Sequence, residues 1–336
     1  MRKRIEKIII LALVVVNLVG VHLYITFYAP ASRDGATKVV NIQRGASFRV
    51  IARNLEDAGV IRSAESFKFA ASLLWANRKV KAGEYELNGS MSPLEILETL
   101  VKGKVKKYLV TIPEGYNIRD VAGLLAAAGL ADRDEFISRA TDARLAASLG
   151  VEGPTLEGYL FPDTYELTKN LSADDIIARM AERFKSVYFP ALDAAARKKK
   201  MSMRKAVTLA SIIEKETGAN GERRRISAVF HNRLDKRIRL QSDPTVIYGV
   251  EGFDGNLRKK HLLAKNPYNT YKNYGLPPGP IANPGRASLE AALDPEDAAY
   301  LYFVSKNDGT HHFSKSLREH NEAVGRYQKR VRAAGR

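Results

Sequence analysis

The sequence predicts an α+β protein with a single N-terminal transmembrane helix, a small strand-and-helix module, and a larger mixed α+β domain. Three observations carry that prediction. A long apolar run opens the chain, a strand–turn–helix pattern occurs twice within residues 38–140, and a Pro-free helical run at 204–217 precedes a short apolar strand pattern at 299–304. The chain is 336 residues long, without cysteine, and carries a formal net charge of +17. It has no thiolate chemistry and no Cys-ligated metal, and its charge suits a polyanionic environment.

Arg2, Lys3, Arg4 and Lys7 precede an apolar run that starts at Ile8 and continues to Tyr28. About 20 such residues span a bilayer as a helix, and basic residues ahead of the span place the N-terminus in the cytoplasm. Residues 1–7 are therefore expected as a cytoplasmic tail and 8–28 as the anchor. Ala29-Pro30-Ala31 offers the small residues of a cleavable signal. The long apolar core and the placement of Pro30 favour an uncleaved anchor instead. A protein exported this way is not expected to bind nucleic acid.

Residues 38–140 hold an internal repeat at an offset of 70. Val40, Ile42, Gly45, Ile51, Ala52, Leu55 and Gly59 correspond to Val110, Ile112, Gly115, Val121, Ala122, Leu125 and Gly129. Each copy reads as a short strand, a glycine turn and an amphipathic helix ended by Ala-Gly. Residues 38–105 form the expected module, a glycan-binding element or a spacer. Residues 106–336 form the main domain.

The segment Glu157-Gly158-Tyr159-Leu160-Phe161-Pro162-Asp163-Thr164-Tyr165 reads as an ordered loop. Its rings and carboxylates suit sugar faces and hydroxyls, or an aromatic staple between subdomains. An amphipathic helix is expected over 173–185, and the basic run Arg197–Lys200 reads as a solvated face. A further helix is expected from Arg223 to Leu234, then a turn and cap at Ser242-Asp243-Pro244. Loops follow at 267–271 and 275–281, and a basic helix over about 317–334 closes the chain.

The centre of this organisation is the helix from Arg204 to Thr217. Val207, Ala210, Ser211 and Glu214 share one face, and Leu209, Ile212, Ile213 and Glu216 another. Three and four residues away from Glu214 stand Ser211, Ala210, Thr217 and Gly218, so no Lys or Arg of its own helix can pair with it. A desolvated carboxyl in that position is expected to hold a proton near neutrality and serve as a general acid. The alternative is a solvated carboxylate at a helix end.

Taken together, Ala210–Thr217, Leu240-Gln241-Ser242-Asp243-Pro244-Thr245, Tyr268-Asn269-Thr270-Tyr271, Gly275-Leu276-Pro277-Pro278-Gly279 and Glu157–Thr164 resemble the YceG-like endolytic murein transglycosylases. The resemblance covers nearly the whole chain. It implies a LysM-like module at 38–105 and a catalytic domain over 106–336. It also implies a membrane-anchored lytic enzyme that cleaves between N-acetylmuramic acid and N-acetylglucosamine in nascent glycan strands, leaving 1,6-anhydro ends and so terminating elongation. The catalytic acid falls on Glu214, with no cofactor and no metal. Gln241, Ser242, Asp243, Asn269 and Tyr271 are expected to bond sugar or stem-peptide groups or to hold Glu214. Tyr159 and Tyr248 are expected to stack on sugars. Glu157, Asp163, Glu216 and Asn232 complete the expected surroundings, with Glu216 structural or orienting. The implied partners are peptidoglycan strands, the membrane and peptidoglycan synthases. The implied location is the cell membrane, with the catalytic part outside the cytoplasm.

Two other readings are open to the sequence. Ser202-Met203-Arg204-Lys205 and Ser305-Lys306-Asn307 match S-x-x-K and S-x-N of serine acyltransferases, but no Lys-Thr-Gly follows. A non-catalytic murein-binding scaffold is the other. The six histidines show no metal-ligand spacing, and His311-His312 is expected at the surface or on substrate.

Overall fold

In the computed structural model, residues 2–33 and 35–329 are described, with the side chains of Asn220 and Lys329 set aside. The chain forms two compact units, one of residues 1–109 and 166–171, the other of 110–165 and 172–336.

The first unit opens with helix α1 (Arg2–Phe27), the one described helix long and apolar enough to cross a membrane. Strand β1 (Thr37–Ile42), α2 (Phe48–Asp57), α3 (Ala64–Leu73), β2 (Gly83–Asn88), α4 (Pro93–Lys102) and the start of β3 (Tyr108–Thr111) follow. β1 and β2 pair antiparallel with Val40 opposite Tyr85 and Ile42 opposite Gly83. The period-2 pattern turns Val40, Ile42, Tyr85 and Leu87 inward. There they meet Ile51 and Leu55 of α2, Phe67 of α3, and Ile96 and Leu100 of α4. Ser47, Ser63 and Ser92 cap the three helices, Ser92 in a reciprocal box with Glu95.

The second unit begins as the repeat predicts. β3 leads through Gly115 (φ +78°) into α5 (Ile118–Ala127), which stops at Gly129 (φ +66°), just as β1 leads through Gly45 (φ +82°) into α2 and Gly59 (φ +67°). Both turns need the left-handed backbone that glycine adopts without steric cost. α6 (Arg133–Ala140), α7 (Ala143–Ser148) and β4 (Thr164–Leu167) come next, and β4 pairs with β3. Both copies thus run from a strand through helices to a returning strand, with two helices in the first and three in the second.

α8 (Ala173–Tyr188), α9 (Ala191–Lys198) and α10 (Met203–Glu216) follow, then a 3-10 turn (Asn220–Glu222) and α11 (Arg223–Asp235). α12 (Asp243–Tyr248), α13 (Lys259–Leu263), α14 (Arg286–Leu293), the hairpin β5 (Tyr302–Ser305) and β6 (His311–Ser314), and α15 (Leu317–Val324) complete the unit. α10 is its axis: every residue from Ala206 to Ile213 is buried, and the helix packs against α9, α11, α12 and α14. Ser202 caps it by accepting the Lys205 N–H, so the S-x-x-K match is a helix start. The strand expected over 299–304 is shorter and only half-buried. The last helix ends at Val324 and continues as a π turn over Gly325–Lys329; the remainder of the expected helix lies outside the described residues.

Candidate active site

Glu214 stands on the last turn of α10, its side chain 7% exposed. Sequence reasoning left it without a countercharge on its own helix, and that is corrected by the chain beyond the helix. Arg223, the first residue of α11, brings Nη2 to 3.3 Å from Oε1, and the Gly285 N–H donates to Oε2 at 2.9 Å. Both are hydrogen bonds that the carboxylate accepts. Arg223 is itself held by its Nε donating to the Ser288 hydroxyl at 3.0 Å.

A second carboxylate joins the group. Glu114, in the turn between β3 and α5, places Oε2 3.6 Å from the same Arg223 nitrogen. Burial, then the charge of Glu214, push its pKa up, while Arg223 opposes them. A methyl carbon at Gly285 would lie 1.8 Å from Glu114 Oε1, so glycine there lets the Glu114 carboxylate keep this position. The Glu114 turn is held by Lys215, which donates to the Gly115 carbonyl. Asn283 exchanges backbone bonds with Gly115 and Tyr116. Sequence reasoning missed Glu114, Arg223 and Gly285. One signal for Glu114 was present: the repeat places it opposite Arg44, a reversal of charge within an otherwise similar turn.

The residues expected around Glu214 disperse into other environments. Glu216 points away from Glu214 and accepts the Ser242 hydroxyl at 2.6 Å. Burial pushes its pKa up to about 7, against that hydrogen bond. Ser242 therefore does not cap α12 with its side chain. Glu216, Gln241, Asp243 and Tyr271 line a cavity of about 440 Å³ together with Arg233 and His320. In it the Tyr271 hydroxyl donates to Asp243 at 2.6 Å.

Glu157 is buried elsewhere. Both its oxygens accept the Ile118 N–H at the start of α5, and the Tyr248 hydroxyl donates to Oε2 at 3.1 Å. Burial nevertheless raises its pKa to about 7. Glu157 and Tyr248 line a cavity of about 430 Å³. Tyr248 is committed to Glu157 and to the Tyr268 ring at 4.8 Å.

The remaining expected residues have partners within the fold. Tyr159 is 1% exposed and packs edge-on to Phe184 at 5.0 Å, so it is core and no stacking platform. Asp163 pairs with Arg183 at 2.6 Å and caps Thr164. Asn232 donates to the carbonyls of Ala298 and Tyr300. Asn269 donates to those of Leu262 and Ala264 and clamps its own loop. His311 faces Glu222, which accepts its backbone N–H at 3.0 Å and meets Nδ1 at 2.7 Å. That pair ties the hairpin to the residue preceding Arg223.

Two carboxylates thus meet one guanidinium at the end of a buried helix, on an α+β scaffold. The chain belongs to the YceG-like family, whose sequence model matches residues 40–326. It is 36% identical over 89% of its length to an endolytic murein transglycosylase of Bacillus subtilis, of which it covers 87%. A Streptococcus pneumoniae protein of the same name is 31% identical over 86% of this chain, which spans only 58% of that longer protein. A crystal structure of a yceG-like protein from Listeria monocytogenes matches 86% of this chain and 99% of its own, at 37% identity and a TM-score of 0.60.

Proposed function

We propose that this protein is a membrane-anchored endolytic lytic transglycosylase of peptidoglycan, with Glu214 as its acid and base. The observation that carries the reading is the placement of Glu214. It is nearly buried, on a rigid helix, between a backbone donor and an arginine, with a second carboxylate alongside. The relatives named endolytic murein transglycosylases supply the substrate class.

In the proposed reaction, the protonated site gives its proton to the oxygen bridging N-acetylmuramic acid and N-acetylglucosamine, and the C1–O bond breaks. The muramic C6 hydroxyl oxygen then bonds to C1, and its proton returns to Glu214, leaving a 1,6-anhydro end. No water is consumed. Arg223 and the Gly285 N–H suit the second half, because they stabilise the carboxylate that takes the proton back. Glu114, its pKa pushed up by burial and by the charge of Glu214, suits the first half as a neighbouring carboxyl able to hold a proton. The cavity around Glu216, Asp243 and Tyr271 offers a place for a flanking sugar or stem peptide. The strand–helix–helix–strand order of the first unit supports its reading as a LysM-like glycan contact, with α1 as the anchor and the N-terminus cytoplasmic. Peptidoglycan synthases are the partners this placement suits.

The test compares wild type with Glu214→Gln on purified murein, with products identified by mass spectrometry. General acid–base groups contribute roughly 10²–10⁴-fold, so 1,6-anhydro ends should fall by that factor while murein binding persists. Water-added reducing ends from wild type would sink the transglycosylase reading. Full activity in the variant would sink Glu214 as the acid.

A further inference from the structure

We infer that the C-terminal end of α3 is a membrane-docking surface that seats the first unit on the lipid headgroup layer beside its own anchor. Phe69, Leu73, Leu74 and Trp75 are all exposed there, Trp75 to 81%. Phe69 and Leu73 are one helical turn apart and share a face, while Phe67, Ala70 and Ala71 take the buried side. The apolar end of the helix is thus not the unit's core turned out. It is a second, separate apolar surface.

Trp75 sits where a helix normally ends in glycine. Its φ is +53°, a left-handed backbone that bulky residues avoid. The Ala76 N–H reaches back to the Ala71 carbonyl at 2.8 Å and closes the helix around it. A large indole at this position projects into solvent with nothing of the first unit covering it. Arg78 and Lys79 follow three and four residues on, both exposed. An aromatic ring between apolar residues and cations is the composition of a membrane-interface belt.

The location fixes the occupant. Thr26, in the last turn of α1, is that helix's buried residue, and α1 packs against α3 and α4. Arg62 Nε, just ahead of α3, donates to the Pro30 carbonyl at 2.7 Å, and the Ser32 N–H donates to Gly89 at 2.9 Å. Among the described residues, these bonds tie the end of the span to the module. The apolar run ends at Tyr28, so the bilayer boundary falls where α1 meets α3. α3 is about 15 Å long, which keeps its far end within reach of the interfacial layer. A lipid surface with anionic headgroups therefore matches both the chemistry and the distance, whereas a glycan chain or a second copy of the protein has no such fixed proximity. The inference rests on α1 as a membrane span and not on the chemistry of Glu214.

Trp75 is the only tryptophan in the chain, so its fluorescence reads this site alone. The full-length protein is reconstituted into phosphatidylcholine–phosphatidylglycerol vesicles, with and without brominated acyl chains. Resistance to carbonate extraction reports separately that α1 is inserted. Docking predicts that Trp75 loses most of its emission to the bromines and is shielded from aqueous iodide. With Leu73→Glu and Leu74→Glu, both at exposed positions, the bromine quenching should disappear and iodide access return. Three results would overturn the inference: iodide-accessible emission insensitive to bromine in an inserted protein, a shift that requires added murein fragments or rises with protein density, or bromine quenching that the double variant leaves unchanged.

Discussion

Glu214 owes its surroundings to residues 9 and 71 positions further along the chain, and Glu114 reaches the same guanidinium from 100 positions before it. Glu114 carries the carboxyl whose pKa burial and the charge of Glu214 push up. Glu114→Gln removes that group and keeps its shape. If Glu114 holds the proton used in the first half of the reaction, the basic limb of the kcat/KM profile should move acid-ward in the variant. An unshifted limb with reduced activity would make Glu114 a structural residue only. The sequence made Glu214 legible through the absence of neighbouring charge on its helix. It could not reveal Arg223, because the turn over 217–222 that swings α11 back is not a helical spacing.

At the scale of elements, the legible parts are those with periodicity. The repeat, the capped helices and the buried stretch of α10 follow from apolar spacing and from Gly, Ser and Asp at their ends. The loops were less legible, because their rings suited a sugar face and a packed staple equally. Tyr159 and Tyr165 look the same in sequence whether they face a ligand or the core, and burial decided for the core. Gly218 shows a constraint of this kind at the end of α10. A Cβ there would stand 2.6 Å from the Gly309 carbonyl oxygen, so Gly218→Ala should displace the β5–β6 loop and disturb the Glu222–His311 tie ahead of Arg223. Activity should drop at least tenfold while the thermal midpoint changes by only a few degrees, as an overpacking cost of about 1–3 kcal/mol implies. Retained activity would show that the hairpin does not govern Arg223.

The same elements carry a pH-dependent stability. Glu157 and Glu216 have their pKa raised from 4.5 to about 7 by burial. The folded state therefore binds protons that the unfolded state has already released, and stability is lost as pH rises from about 4.5 through about 7. Each group contributes on the order of 3 kcal/mol across that window. Thermal unfolding at pH 5 and pH 8 should show the wild type losing stability on the alkaline side, with Glu157→Gln losing about half as much. A wild type equally stable at both pH values would mean that these carboxyls are hydrated in solution.

Across the whole molecule, five segments that looked like one site resolve into four places: the Glu214 group, the two cavities around Glu216 and Glu157, and a further cavity lined by residues 274–278. Linear order showed which segments are polar and aromatic, but the facing direction of each is set by packing against α10, which no local pattern encodes. Charge is different, since it acts without needing a facing direction. With 54 basic against 37 acidic residues, the protein should attract an anionic wall polymer wherever its cations are exposed. Lys199, Lys200 and Lys205 concentrate that charge on a cavity of about 730 Å³ with Tyr274, Pro277 and Pro278. The Debye length falls from about 10 Å at 0.1 M salt to about 3 Å at 1 M. Binding of the full-length protein to murein sacculi should therefore weaken severalfold over that range. Converting the three lysines to glutamate should weaken it at low salt and make little difference at high salt, because screening has by then removed the same attraction. Salt-independent binding, unaffected by the three substitutions, would assign murein affinity to hydrogen bonding and stacking and leave the positive charge without a part in it.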